Sequence, residues 1–419
     1  MNRMKKRNLR FFIGIYAAFF TRIILKLLKK NATQLPGKVA LFFCPDFLGR
    51  VGRPATIICI TGTNGKTTVC NLIIDILKKH NFDVLDNRFG SNTYGGIASS
   101  LLAKSNLFGN VFEDIAVFEV DERSSKRIYS YIEPTYLLCT NLFRDSITRN
   151  AHTEFILSKI APYIPKSTKL ILNADDLISS SLGKNNPSVY FGVSELDSDT
   201  KECKNIVCDI RVCPLCKSKL QYNYLHYHHI GNSYCPNCDF KSPKADITVT
   251  NVDFEHLRMV IRENEKDYEY TTISDNLFNV YNILSIVTLL RQMGLAHKDL
   301  QKSFENANIV NTRFTKEKVK NIEIITNLSK GQNPVACTRA IDYASSSKGN
   351  KVVVLILSDL HDEVNSSENV TWLYDIDFEF LNKENIKQIV TSGIRAYDVY
   401  LRLLLAGIDA SKITISERI

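Results

Sequence analysis

The sequence predicts an α/β protein. A central P-loop domain on a mostly parallel sheet carries an inserted four-cysteine zinc ribbon, and a smaller C-terminal α/β domain follows. Three observations predict this. The octapeptide Thr61-Gly62-Thr63-Asn64-Gly65-Lys66-Thr67-Thr68 lies between an apolar β-branched run and an amphipathic stretch. Strand-like and helix-like segments alternate from Ala55 to about Gly192, as in a doubly wound sheet. Near Arg313 a second, shorter alternation begins.

The opening segment, residues 1–45, is basic: ten Lys and Arg lie between Arg3 and Lys38, and the first acidic residue is Asp46. With 53 basic and 44 acidic residues in total and a net charge of +9, the remainder is nearly neutral. That balance argues against a broad nucleic-acid-binding face, and no nucleic-acid partner is expected. The apolar run Phe11–Phe20 is too short to span a bilayer, and no small-residue cleavage site follows it. Two readings stay open: a helix packed on the first domain, or a basic amphipathic anchor in peripheral contact with an anionic membrane.

The central domain is expected over residues 46–310. Its first strand, Ala55–Ile60, leads into the octapeptide, and a helix covers Val69–Lys79. Strand, glycine-bearing loop and helix together make a phosphate cradle: backbone N–H groups of Thr63, Asn64, Gly65 and Thr68 converge on phosphate oxygens above the positive end of the helix dipole. Lys66 reaches the outer phosphates, and the Thr67 hydroxyl can ligate Mg²⁺. The standard pattern has a further glycine where this chain has Ile60.

Further strands are expected at Ile115–Val120, Tyr136–Asn141, Lys169–Asn173 and Val189–Phe191. Glu119, leaving the first of these, is well placed to hold Mg²⁺, with Asp121 and Glu122 as lesser candidates; a solvent-facing acidic turn is the bland alternative. Arg144, after the next strand, could meet a phosphate or a carboxylate, or simply pair with Asp145. Asn173-Ala-Asp175-Asp176 is a polar turn at the same edge.

Residues 203–242 break the rhythm. Cys213-Pro-Leu-Cys216 and Cys235-Pro-Asn-Cys238 have the spacing of two knuckles that give four thiolates to one structural Zn²⁺. Such a site is closed, so His226, His228 and His229 are expected to be solvated, and Cys203 and Cys208 to be bystanders. The remaining cysteines are scattered, several in apolar runs, as for buried thiols in a reducing cytoplasm. A hairpin-like stretch, Ile247–Tyr270, precedes the apolar helix Leu277–Met293. Asn279 and Asn282 on that helix could read an adenine edge or serve as caps.

The last domain, residues 311–419, reads as strand Ile322–Thr326, helix Pro334–Ala344, strands Val352–Leu357 and Ile386–Thr391, and helix Ala396–Leu405.

The loop Gly62–Thr68, Glu119 at a strand end and the Asn279/Asn282 pair resemble the Mur ligase family of ATP-dependent amide-forming enzymes. Asn141-Leu-Phe-Arg-Asp, Leu172-Asn-Ala-Asp-Asp, the inserted ribbon and Thr371-Trp-Leu-Tyr-Asp-Ile-Asp-Phe-Glu are similar to the branch of that family that amidates lipid II in peptidoglycan biosynthesis. The resemblance implies that ATP phosphorylates the α-carboxylate of the stem-peptide D-glutamate and that ammonia attacks the acyl phosphate. Mg²⁺ would sit on Thr67 and Glu119, with Lys66 and Arg313 as cations around the phosphates. Ammonia would come from a GatD-like glutamine amidotransferase subunit in a heterodimer, to which this chain lends an aspartate. Asp362 and Asp359 are both candidates, and Asp359 as a plain strand-end cap stays open. The chain departs from the family where Lys330 is split from Asn333-Pro334, and where Ser358-Asp359-Leu360-His361-Asp362-Glu363 replaces an Asn-Asp-Asn run. The segment ahead of Thr61 is also expected to be too short for a nucleotide-sugar-binding domain. Three rival readings remain: a folylpolyglutamate-type amino-acid ligase, a zinc-ribbon P-loop ATPase acting on nucleic acid, and a membrane-tethered scaffold with a degenerate nucleotide site. Between Cys213 and Cys238 only Lys217 and Lys219 carry positive charge, which counts against the second.

Overall fold

The computed structural model describes residues 4–145, 152–272, 274–305, 314–329, 332–357 and 369–416. The chain forms two compact units. One comprises Met1–Leu142, Glu154–Glu202 and Ile210–Ile309; the other comprises Phe143–Thr153, Cys203–Asp209 and Val310–Ile419.

The first unit is built on a nine-stranded sheet. Its strands are β1 (Thr56–Thr61), β2 (Val84–Asp86), β3 (Ile115–Glu119), β4 (Tyr136–Cys139), β5 (Lys169–Asn173), β6 (Ser188–Val193), β9 (Ile247–Asp253), β10 (Arg258–Glu263) and β11 (Lys266–Thr271). The spatial order is β11-β10-β9-β6-β5-β4-β1-β3-β2, parallel from β2 to β9 and antiparallel for the last two pairs. The inner strand β1 is buried from Ile57 to Thr61, as expected for a strand covered on both faces. The stretch expected as a hairpin is a three-stranded meander. Asn264 and Glu265, at φ 51° and 60°, form the tight turn between β10 and β11.

The chain passes from β3 across β1 to β4, so strand order reverses at β1. Ligands of open α/β sheets bind in the crevice beyond the carboxyl end at such a point. Parallel register sets Ile60 beside Glu119 and Thr61 beside Cys139, so β1 delivers its loop between the ends of β3 and β4.

Helix α1 (Leu9–Leu27) opens with Asn8 as its cap, and α2 (Leu35–Phe43) follows it. Phe11, Ile15 and Ala18 join the same core as Ile57, Phe118 and Leu137, so the packed-helix reading of the amino terminus holds. Arg7 donates to the Gly109 carbonyl at 3.0 Å and to Asn110 Oδ1 at 2.8 Å. Asp46 accepts from Arg50 at 2.8 Å and Lys5 at 3.0 Å; chiefly the Arg50 bond holds its carboxyl well below the usual range. None of the described helices is long and apolar enough to cross a membrane.

Helix α3 (Lys66–Lys79) follows β1, and α4 (Tyr94–Lys104) follows β2. The short helices α5 (Ser125–Tyr129), α6 (Thr153–Ile160) and α7 (Leu177–Ser180) come next. Helix α8 (Leu277–Gln292), buried almost all round, and α9 (His297–Glu305) complete the unit. The ribbon insert contributes a separate hairpin, β7 (Gln221–Tyr227) with β8 (Ile230–Tyr234).

The second unit contains the hairpin of β12 (Phe314–Val319) and β13 (Ile322–Asn327) and a parallel sheet. The sheet is β14 (Lys351–Ile356), β15 (Ile386–Ser392) and β16 (Ile413–Ser416). With α10 (Pro334–Ser346) and α11 (Ala396–Leu405), it packs around Trp372, Leu373, Ile376, Phe378 and Leu403.

Candidate functional site

The loop after β1 turns on two glycines with positive φ, Gly62 at 129° and Gly65 at 84°. Gly65 is the residue ahead of α3, in a left-handed conformation that other residues adopt only with strain. The loop is braced from β4. Thr63 N donates to the Asn141 carbonyl at 2.8 Å, and Asn64 N donates to Asn141 Oδ1 at 3.0 Å. Thr140 Oγ1 and Asn141 Nδ2 both donate to the Asn64 carbonyl, at 2.7 and 3.1 Å. Thr67 and Thr68 follow Lys66 in the first turn of α3.

On the other side, the end of β3 supplies carboxylates. Thr67 Oγ1 donates to Glu119 Oε2 at 2.9 Å, so the two candidate Mg²⁺ ligands touch. Asn92 Nδ2 holds the other carboxylate oxygen at 3.1 Å, and Asn87 grips the Glu119 backbone in both directions at 2.9 Å. The hydroxyl and carboxylate are hard oxygen donors side by side at the helix start, which is what Mg²⁺ with a bound triphosphate requires.

Lys66 bonds the Gly62 carbonyl and forms an ion pair with Glu122 Oε1 at 2.7 Å. The two side chains are only 12% and 5% exposed. Burial on its own would lower the Lys66 pKa, but Glu122, then Glu119 and Asp121, outweigh it and hold the ammonium above the ordinary lysine value. Sequence reasoning ranked Glu122 below Glu119. Glu122 lies one turn past the strand end, and its pairing with Lys66 follows only from the β1–β3 register.

From α8, Asn282 lies against the loop: a Cβ on Gly65 would come within 2.4 Å of its Oδ1. Asn279 stands one turn away, donating to Ser274 Oγ at 2.6 Å and accepting from Asn282 at 3.3 Å. Neither caps the helix; Asn276 does, accepting from Phe278 N at 2.8 Å. Arg313, Lys330, Asp359 and Asp362 lie outside the described residues.

The sulfurs of Cys213, Cys216, Cys235 and Cys238 all lie within 4.8 Å of one another. Zn–S bonds of about 2.3 Å in a tetrahedron set sulfurs about 3.8 Å apart. The Cys213–Cys238 and Cys216–Cys235 separations, 3.6 and 3.3 Å, are near that value and far from a disulfide bond. The Ser218 hydroxyl draws the Cys216 thiol down to about 6, whereas at Cys238 the Phe240 backbone hydrogen bond is outweighed by burial and the neighbouring thiols, which push that thiol up to about 12. The donor set therefore fits a closed structural Zn²⁺. Cys203 and Cys208 are not part of it.

The histidine expectation is overturned. His228 and His229 are buried, as is the His226 side chain, because the ribbon hairpin lies over the Asp175-Asp176 turn and α8. His226 Nδ1 meets Asp199 at 2.9 Å, and His229 Nε2 lies 3.3 Å from Asp176. Gly231 N donates to the Asp175 carbonyl at 2.8 Å, and the Tyr227 ring packs on Phe278 of α8. Asp175, whose pKa burial raises, accepts from Val193 N at 2.7 Å and Tyr281 at 2.8 Å. Asp176 accepts from Leu142 N at 2.7 Å and caps α7.

In the second unit Arg144 does not pair with Asp145. Its guanidinium meets Asp209 at 2.6 Å and Asp375 at 3.4 Å. Burial pulls the Arg144 pKa down, but these two carboxylates more than offset it. Asp377 accepts from Ile206 N at 2.6 Å and Asn205 Nδ2 at 3.0 Å. The tryptophan motif is thus a dock for residues 203–209, with Trp372 in the core beneath it.

A model of the Mur ligase middle domain matches residues 60–232, and one of the MurT ligase C-terminal region matches residues 328–419. Over 399 residues the chain is 33% identical to the lipid II isoglutaminyl synthase (glutamine-hydrolyzing) subunit MurT of Staphylococcus aureus, covering 94% of this chain and 88% of that protein. The subunit of the same name from Streptococcus pneumoniae is 31% identical over 414 residues, covering 97% and 89%. Among solved structures, a pseudomurein peptide ligase type C from Methanothermus fervidus superposes with a TM-score of 0.64 at 22% identity, covering 89% of this chain and 69% of that one. MurF ligase from Thermotoga maritima in complex with ADP gives 0.57 at 15%, covering 92% and 75%. At these identities the two structures establish the shared fold.

Proposed function

The chain belongs to the MurT family of lipid II isoglutaminyl synthase subunits within the Mur ligases, and on that premise we propose that it amidates the stem-peptide D-glutamate of lipid II at the expense of ATP. The observation that carries the reading is the convergence of Lys66, Thr67 and Glu119 around a braced phosphate loop at the strand-order switch.

ATP binds with its phosphates on the N–H groups of Gly65, Lys66, Thr67 and Thr68, those of Thr63 and Asn64 being taken up by Asn141, and with the Lys66 ammonium on its outer phosphates. Thr67 and Glu119 would hold a Mg²⁺, which would supply charge neutralisation at the phosphates. Asn279 and Asn282 lie toward the base, and Arg313 is the second cation. An oxygen of the D-glutamate α-carboxylate attacks the γ-phosphorus and expels ADP, leaving an acyl phosphate. Ammonia then adds at the carbonyl carbon, the C–O bond to phosphate breaks, and the nitrogen loses a proton. The products are D-isoglutamine, ADP and phosphate.

Ammonia comes from a GatD-like glutaminase subunit, whose triad Asp362 or Asp359 completes. One face of β14 supports a protein partner: Val352, Val354 and Ile356 are all exposed there. The buried free thiols favour a cytoplasmic setting, and domain limits at 46–310 and 311–419 separate the phosphoryl-transfer and partner-facing parts.

The test is incubation with lipid II, ATP and ammonium, with and without the glutaminase subunit, followed by mass measurement. Exchange of OH for NH₂ lowers product mass by about one dalton. No shift with free ammonium refutes the reading. Asp362→Ala and Asp359→Ala are compared for selective loss of the glutamine-driven reaction.

A further inference from the structure

Helix α1 is apolar on two opposite faces. Phe11, Ile15, Ala18 and Leu25 are buried against the domain. At 3.6 residues per turn, Leu9, Ile13, Tyr16, Phe20, Ile23 and Leu27 line up on the other side, and all of them are exposed. Leu9, Phe20 and Leu27 are 75%, 65% and 77% exposed. The stripe runs the length of the 19-residue helix, about 27 Å. On α2, packed beside it, Phe42 is 80% exposed. A continuous apolar strip of this size rimmed by polar groups marks an interaction surface.

The rim is of one sign. Arg10 and Lys26 lie on the two flanks of the stripe, Lys29 and Lys30 lie just beyond its end, and Lys38 is on α2; all five are exposed. Among the described residues none of these five has an acidic partner, in contrast to Lys5 and Arg50, which share Asp46. A second copy seated on this face would bring two such rims together, which like-charge repulsion opposes. An anionic partner that is also apolar meets both demands.

The geometry points to an anionic lipid bilayer as the occupant of this face. Helix α1 lies in the plane of the membrane, with Leu9, Ile13, Tyr16, Phe20, Ile23 and Leu27 at the acyl boundary and the five cations among headgroup phosphates. The helix lies on the bilayer and does not cross it. The packed helix and the membrane anchor, alternatives in the sequence, are the two faces of one element. This surface stands whether or not lipid II is the substrate.

The test is co-sedimentation of the full-length chain with vesicles of phosphatidylcholine alone or mixed with phosphatidylglycerol, at low and high salt. Binding is expected only with phosphatidylglycerol and should weaken as salt rises. Ile13→Glu with Phe20→Glu, and separately Lys29→Glu with Lys30→Glu, should each lower partitioning by about tenfold or more. The second pair lies beyond the helix end, so it leaves the helix packing untouched. Equal binding to both vesicle types, or binding to neither, overturns the proposal. So does a result in which the stripe variant keeps vesicle binding but loses self-association or the glutaminase subunit.

Discussion

Replacing Lys66 with methionine separates two jobs that one side chain performs. The ammonium is 2.7 Å from Glu122 Oε1, and the Glu122 side chain is nearly inaccessible. Removing one member of a buried ion pair leaves an uncompensated charge and costs about 3–5 kcal/mol. For a unit of this size, about 2–4 °C per kcal/mol, the thermal midpoint should fall by about 6–20 °C. Adding Glu122→Gln removes the stranded charge, and the double variant should recover most of that loss. Activity should not follow. The double variant lacks the Lys66 ammonium at the outer phosphates, so ATP-dependent amidation with free ammonium should stay at background while the melting curve returns. The pH dependence has a definite sign. The folded Lys66 pKa lies above the unfolded value of about 10.4, so the pair's contribution is complete below that pH and is lost only in more alkaline solution. The stability deficit of Lys66→Met should therefore be flat across neutral pH. A double variant that regains turnover would show that Lys66 serves the fold alone. An undiminished midpoint for the single variant would remove the buried pair from the account.

Gly65→Ala should raise the ATP KM by about tenfold or more, because a left-handed alanine costs about 1–2 kcal/mol and its Cβ would press on Asn282 Oδ1; the Asn282→Ala background should relieve only the second part. Cys235→Ser should leave purified protein short of its single zinc by metal analysis and lower the melting midpoint, whereas native protein without zinc would contradict the assigned centre. Asp377→Ala, by stranding the donors on Ile206 and Asn205, should destabilise the second unit by about 2–4 kcal/mol in denaturant titration. Burial raises the Asp377 pKa, so its folded state favours the proton and its contribution weakens as pH rises from the ordinary carboxylate range through the folded value; Asp377→Asn should flatten that dependence.

The sheet and its loop were legible because they depend on local pattern. Lys169–Asn173 and Ala396–Leu405 have the bounds the pattern predicts, and the apolar run before Thr61 is an inner strand of the sheet. What escaped depends on partners distant in sequence. Arg144 reaches Asp209 and Asp375, 65 and 231 residues away, and no nearby residue hints at either. The three histidines are surplus to a closed four-cysteine set and were assigned to solvent. In the fold their hairpin covers the Asp175-Asp176 turn, and Asp176 beside His229 and Asp199 beside His226 supply carboxylates that make burial tolerable. β2 has only three residues and shows no periodicity, yet Asn87, just beyond it, holds Glu119. The Asn264-Glu265 turn was missed because glutamate seldom takes positive φ.

The ribbon's place in the fold gives a four-cysteine site inside a ligase domain a structural task. Its cysteines pack on Leu177, the first residue of the helix capped by Asp176, and Asp176 also binds Leu142 N just after the Thr140-Asn141 pair that braces Asn64. Its hairpin stacks Tyr227 on Phe278, at the start of the helix that sets Asn282 against Gly65. Both paths run from the four thiols to the phosphate loop through packed or hydrogen-bonded neighbours. A four-thiolate Zn²⁺ has no open coordination position and so cannot act on substrate directly. A Zn²⁺ held by the four cysteines would act by position: it would fix the hairpin, the hairpin packs on the Asp175-Asp176 turn and α8, and these hold the loop from two sides. Zinc loss should therefore weaken ATP binding before it lowers the melting midpoint of the first unit.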